Sequence, residues 1–125
     1  MNLPFLDESK LQQLLDLDDG RSALLQEMAG LFKAETPRRL KAIQEGIEAG
    51  SATEVTEAAH ALKGASGLMG AQIVFALARD LEIQARTGAL PAREVSMEAW
   101  SKLGESVSDA QEAIDNFLSK VRSCP

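Results

Sequence analysis

Apolar side chains recur along this chain at intervals of three and four, the repeat that holds them on one face of an α-helix. No segment shows the one-by-one alternation of a half-buried strand convincingly. Five helices are predicted. The first runs from about Asp7 to Leu17, with Asp7 as its cap and Leu11, Leu14 and Leu15 as its stripe. "DLDDG" breaks it. The second runs from about Ser22 to Ala49, with Leu24, Met28, Leu31, Phe32, Leu40, Ile43 and Ile47 in phase. Pro37 lies in its middle and removes a backbone donor, but the apolar phase resumes beyond it, so one bent helix is expected. The third runs from about Ala52 to Met69, and Gly70 turns the chain. The fourth, about Gln72 to Thr87, turns Ile73, Leu77, Leu81 and Ala85 inward, and "TGALP" closes it. The fifth runs from about Ser96 to Val121 on a seam of Trp100, Leu103, Val107, Ala110, Ile114, Phe117 and Val121, with Gly104 inside.

Four long amphipathic helices with short connections predict an all-α fold: an antiparallel four-helix bundle with an additional short N-terminal helix over one end. The chain is expected to be a single domain, residues 1–125. Met1 and the short tails suggest a free-standing domain.

Charge and cysteine usage narrow the function. A net charge of −6 with a sequence pI near 4.8 argues against nucleic acid, whose phosphates call for a basic patch. Arg38, Arg39 and Lys41 are the one basic cluster and read as a solvated helix face. No apolar run is long enough to cross a membrane, and "MNLPFLDESK" carries no basic-then-apolar leader, so a cytoplasmic protein is the simplest expectation. Cys124 is the single cysteine and His60 the single histidine, which leaves no ordinary zinc ligand set; Cys124, next to the chain end, is not expected to act as a functional thiol. Nothing signals oligomerisation, and a monomer is expected.

The chemistry concentrates in "EAAHALKGASGLMGA", residues 57 to 71. On a helical wheel at about 100° per residue, Val55, Ala58, Leu62, Ala65 and Met69 oppose His60, and Glu57, Lys63, Gly64 and Gly67 flank it. The imidazole is therefore out of phase with the core and projects outward. Gly64 and Gly67 together weaken a helix by about 2 kcal/mol relative to alanine, and on a plain solvent-facing surface nothing compensates for that. They are read here as clearing a groove beside the ring for a close partner. Lys63 supplies a cation one turn away, and Glu57 on the preceding turn can orient the ring or favour its protonated form. An exposed nucleophile, open space and an ammonium suit phosphoryl transfer. Imidazole is partly neutral near neutral pH, with an unperturbed pKa of about 6.5, and can attack without a dedicated base.

"AHALKGASGLMGA" resembles the signature of histidine-containing phosphotransfer (HPt) domains of two-component phosphorelays, in the positions His60, Lys63, Gly64, Ala65, Ser66, Gly70 and Ala71. "LDESKLQQLLDLDDGRSALLQEMAGLF" and "LARDLEIQARTG" are similar to the family's N-terminal helices and to the helix beside the histidine. The resemblance implies a four-helix bundle with His60 as phosphoacceptor through its outer ring nitrogen. It implies that Lys63 holds phosphoryl oxygens, that Gly64 lets a receiver domain approach, and that Glu82 stands where the family has a polar residue near the imidazole. The implied partners are a response-regulator receiver domain and a sensor or hybrid histidine kinase. The implied domain is no enzyme: it has no nucleotide site and no cofactor, and magnesium belongs to the partner receiver.

Two other functions compete. One is the phosphoaccepting N-terminal domain of a chemotaxis-type histidine kinase, which shares the His-x-x-Lys-Gly core but often has an aromatic where this chain has Ala71. The other is a helical adaptor without phosphochemistry. "DLDDGRSALLQE" superficially resembles a calcium loop, but Arg21 stands where glycine is required, and an interhelix turn is expected. "GASGLMG" lacks the Gly-Lys-Ser/Thr ending and the preceding strand of a nucleotide-binding loop. The Trp100 seam is read as packed core, not as a ligand pocket.

Overall fold

The computed structural model describes residues 6–123, with side chains through residue 121. Cys124 lies outside the described residues. Five helices follow in order: α1 (Glu8–Leu17), α2 (Ala23–Ala49), α3 (Ala52–Leu68), α4 (Gln72–Arg86) and α5 (Arg93–Ser123). No strand occurs among the described residues. Each of α2 to α5 packs on the next, and α5 returns to α2, which closes a four-helix bundle; α1 lies against α2. α2 continues through Pro37 as one helix.

Local chemistry places the helix ends. The Asp7 side chain accepts the Ser9 amide and starts α1, and the Ser51 hydroxyl accepts the Glu54 amide and starts α3. The α5 start differs from the expectation at Ser96. The helix begins at Arg93, just past Pro91, and Ser96 is buried with its hydroxyl donating back to the Pro91 carbonyl at 3.2 Å. Asp18, in the loop read as a turn, accepts the Leu24 amide at 3.2 Å.

The core draws on all five helices, with Leu11, Leu25, Ile43, Leu62, Val74 and Leu103 among its buried members. The stripes are rotated from those expected on four helices, among them α5, where Leu118 is buried and Phe117 half-buried. On α2, Leu25 is buried and Leu31 exposed. On α4, Val74, Ala78 and Glu82 join Leu81 and Ala85 inside, while Ile73 and Leu77 are half-buried. On α3, Ala59 and Ser66 are buried and Ala65 is half-buried. The cause is common to these shifts: each helix contacts more than one neighbour, and its buried arc is the sum of several contact lines, not the single mean direction of its largest side chains. Trp100 sits at the edge of its seam, where its indole donates to the Leu40 carbonyl at 2.7 Å.

The α3–α4 turn fixes the end of the bundle next to α1. Gly70 has φ +71°, and its carbonyl accepts the Asp7 amide at 2.7 Å. A Cβ at this position would lie 2.5 Å from the Asp7 carbonyl oxygen, so both the backbone conformation and the close approach of α1 require glycine.

Candidate functional site

His60 stands midway along α3 with its side chain 62% exposed. Ala59 and Leu62 lock the helix beneath it into the core. The ring reaches across to α4, where Nδ1 lies 2.7 Å from Glu82 Oε2. Glu82 is 2% exposed, and a carboxylate that deep is costly unless every lone pair is matched. Here both oxygens have partners. Lys63 Nζ lies 2.8 Å from Oε1, and Arg86 donates to Oε2 through Nη2 at 2.6 Å and Nε at 3.2 Å.

Those bonds act on the protonation of the carboxyl group. The Lys63 hydrogen bond foremost, then that of Arg86, pulls Glu82 from an ordinary carboxyl value of 4.5 to about 2, against the opposing effect of burial. Glu82 is then acceptor-only, and the proton in its bond with the imidazole resides on Nδ1. In the neutral ring the lone pair is consequently on Nε2, which points away from Glu82 and makes no hydrogen bond among the described residues. Lys63 and Arg86 share the one carboxylate behind the ring, which leaves one positive charge in excess within that cluster.

The two glycines of the expected groove separate. A Cβ at Gly64 would meet nothing within 4 Å, so the helix surface one turn past His60 is open. A Cβ at Gly67 would lie 3.3 Å from the Phe75 ring of α4, so Gly67 admits that ring and is not open groove. Glu57 is exposed on the flank of α3 that shares a cleft with Arg39 and Glu45 of α2. The carboxylate that orients the imidazole is Glu82 from α4, so that expected role of Glu57 is corrected: Glu57 and Lys63 lie on opposite flanks of the ring, and α4 packs on the Lys63 side. Arg86 had no place in the sequence reading. Its signal was there, since Glu82 and Arg86 are four apart on one helix, an ion-pair spacing.

A family model for the Hpt domain matches residues 27–123. This chain belongs to the Hpt domain family. It is thus a phosphotransfer protein of phosphorelays, a carrier and not an enzyme in the usual sense, whose partners are receiver domains and kinases. The fold agrees with that of a solved Hpt protein. The crystal structure of histidine-containing phosphotransfer protein B (HptB) from Pseudomonas aeruginosa PAO1 superposes with a TM-score of 0.79 at 20% identity, covering 95% of this chain and 98% of that one. By sequence, no curated protein matches the chain. No helix among the described residues is long and apolar enough to cross a membrane. No cluster of three or more His, Cys, Asp or Glu side chains able to hold a metal occurs among them.

Proposed function

We propose that His60 Nε2 accepts a phosphoryl group from a receiver-domain aspartate, or from a histidine kinase, and passes it to a response-regulator aspartate. The observation that supports this most is the pairing of the exposed ring with ionised Glu82 through Nδ1, which leaves Nε2 outward and, in the neutral ring, as the nitrogen with the lone pair. Gly64 provides the clearance a second protein needs to bring an acyl phosphate in line with that nitrogen. Lys63 and Arg86 hold the phosphoryl oxygens and offset their charge. Magnesium belongs to the receiver in this reading: the one buried carboxylate here has its oxygens taken by Lys63, Arg86 and His60, an arrangement that does not suit a divalent ion. The cytoplasmic setting and monomeric state expected from the sequence belong to the same proposal.

The test is label transfer from a phosphorylated receiver domain to this protein and to its His60→Gln variant. Label that requires His60 supports the carrier. Label that arrives only from a nucleotide-bound kinase domain favours the kinase-module alternative. No label from any donor leaves the adaptor.

A further inference from the structure

The Glu82–His60 bond has a consequence for the phosphorylated state, which rests on the carrier reading. We infer that Glu82 keeps the Nδ1 proton in place after Nε2 is phosphorylated, so that the phosphoryl group is carried on an imidazolium and no proton moves in either direction of transfer.

On loading, the Nε2 lone pair forms the N–P bond, the bond from phosphorus to the donor aspartyl oxygen breaks, and the carboxylate leaves with its electron pair. The ring gains a positive charge and Nδ1 keeps its hydrogen. On unloading, the acceptor aspartate attacks phosphorus and the electron pair of the N–P bond returns to Nε2. The leaving group is then neutral imidazole. If Nδ1 had lost its proton, the ring would have to leave as imidazolate, a far stronger base and a poorer leaving group.

The geometry favours the protonated form. Glu82 lies 2.7 Å from Nδ1 and is almost wholly buried, so the carboxylate side of that bond is shielded from bulk water. Glu82 shares its charge with Lys63 and Arg86 while the ring is unmodified. Their side chains are 25% and 60% exposed, and a phosphoryl group on Nε2 offers both a second anion, which frees more of the Glu82 charge for the ring. The other charged group near the ring on its own helix is Glu57, on the opposite flank, with Arg39 and Glu45 of α2 beyond it. Glu57 also borders a cleft with Arg86 of α4, and Glu54 lies beside it on α3. Glu82 is thus a positioning residue that acts through His60.

The experiment uses the full chain loaded from a phosphorylated receiver domain. Nitrogen-15 spectra of the phosphoprotein at about pH 8, well above the ordinary imidazole value of about 6.5, report whether Nδ1 still carries hydrogen. The expected result is a protonated Nδ1. In parallel, transfer back to a receiver is timed for wild type and Glu82→Gln from about pH 6 to 9. Glutamine retains an acceptor oxygen but no charge. Because the receiver's own pH response is common to both, the variant-to-wild-type ratio of rates isolates the ring. It is expected to fall up to about tenfold per pH unit above neutrality. A phosphorylated His60 whose Nδ1 is bare at about pH 8, or a rate ratio flat with pH, overturns this inference and leaves the carrier intact. If His60 takes no phosphoryl group at all, the carrier reading falls and this falls with it. The wild-type spectrum decides the matter even if the variant does not fold.

Discussion

Glu82 Oε2 and His60 Nδ1 lie 2.7 Å apart although 22 residues and a helix turn separate them. α3 and α4 are the most closely packed pair of the bundle, and that packing carries a buried carboxylate to the inner side of an exposed ring. The ring is thereby oriented, with Nδ1 turned to the carboxylate.

Replacing Glu82 with alanine removes the acceptor and lets the ring rotate and exchange tautomers. Transfer to His60 is expected to slow by about a hundredfold, the order expected when a reacting group loses its alignment. Label-transfer kinetics check it, with circular dichroism to show that the bundle persists.

Lys63 and Arg86 make different contributions. Lys63 is three-quarters buried and the sole partner of Oε1, so Lys63→Ala leaves a buried lone pair unmatched and costs about 1–3 kcal/mol. Arg86 is more exposed and shares Oε2 with His60, so Arg86→Ala costs less. Urea unfolding should rank the two in that order. Both variants are expected to slow transfer, by about tenfold each, with non-additive effects in the double variant because they share one carboxylate.

Gly64→Gln should leave the fold intact or stabilise it by up to about 1 kcal/mol, since glutamine is the better helix former and a Cβ there meets nothing within 4 Å. Transfer should nonetheless slow by at least about tenfold, because the new side chain occupies the approach to Nε2. Normal transfer by this variant would remove the clearance argument.

Acid should weaken the bundle through Glu82. Its carboxyl value is near 4.5 in the unfolded chain and about 2 in the folded one, so the folded state binds fewer protons. The stabilisation is fully present above about pH 4.5 and is lost as pH falls towards about 2. Unfolding midpoints measured across that window should drop more steeply for wild type than for Glu82→Gln.

Gly70→Ala is expected to destabilise by more than about 1 kcal/mol, because alanine is disfavoured at φ +71° and its Cβ meets the Asp7 carbonyl. Hydrogen exchange should show the loss concentrated in α1 and the α3–α4 turn.

The helices, their order and the outward histidine were legible in the sequence because they follow from periodicity, which is local. His60 is out of phase with Leu62 and Met69 whatever the helix packs against. Glycine was legible as a signal but ambiguous in meaning: Gly64 faces open space and Gly67 faces Phe75, and only the position of α4 tells them apart. The same holds for Ala59 and Ser66, which are buried because α3 has two neighbours. Glu57 and Glu82 were both carboxylates within plausible reach of the ring. Which one meets Nδ1 depends on the side from which α4 approaches, a matter of packing between distant segments. Sequence periodicity thus determined the helices and the face on which the imidazole stands. Tertiary structure alone decided that a buried, triply paired carboxylate sits behind it, because such a charge is tolerated only where separate helices bring their cations to the same point.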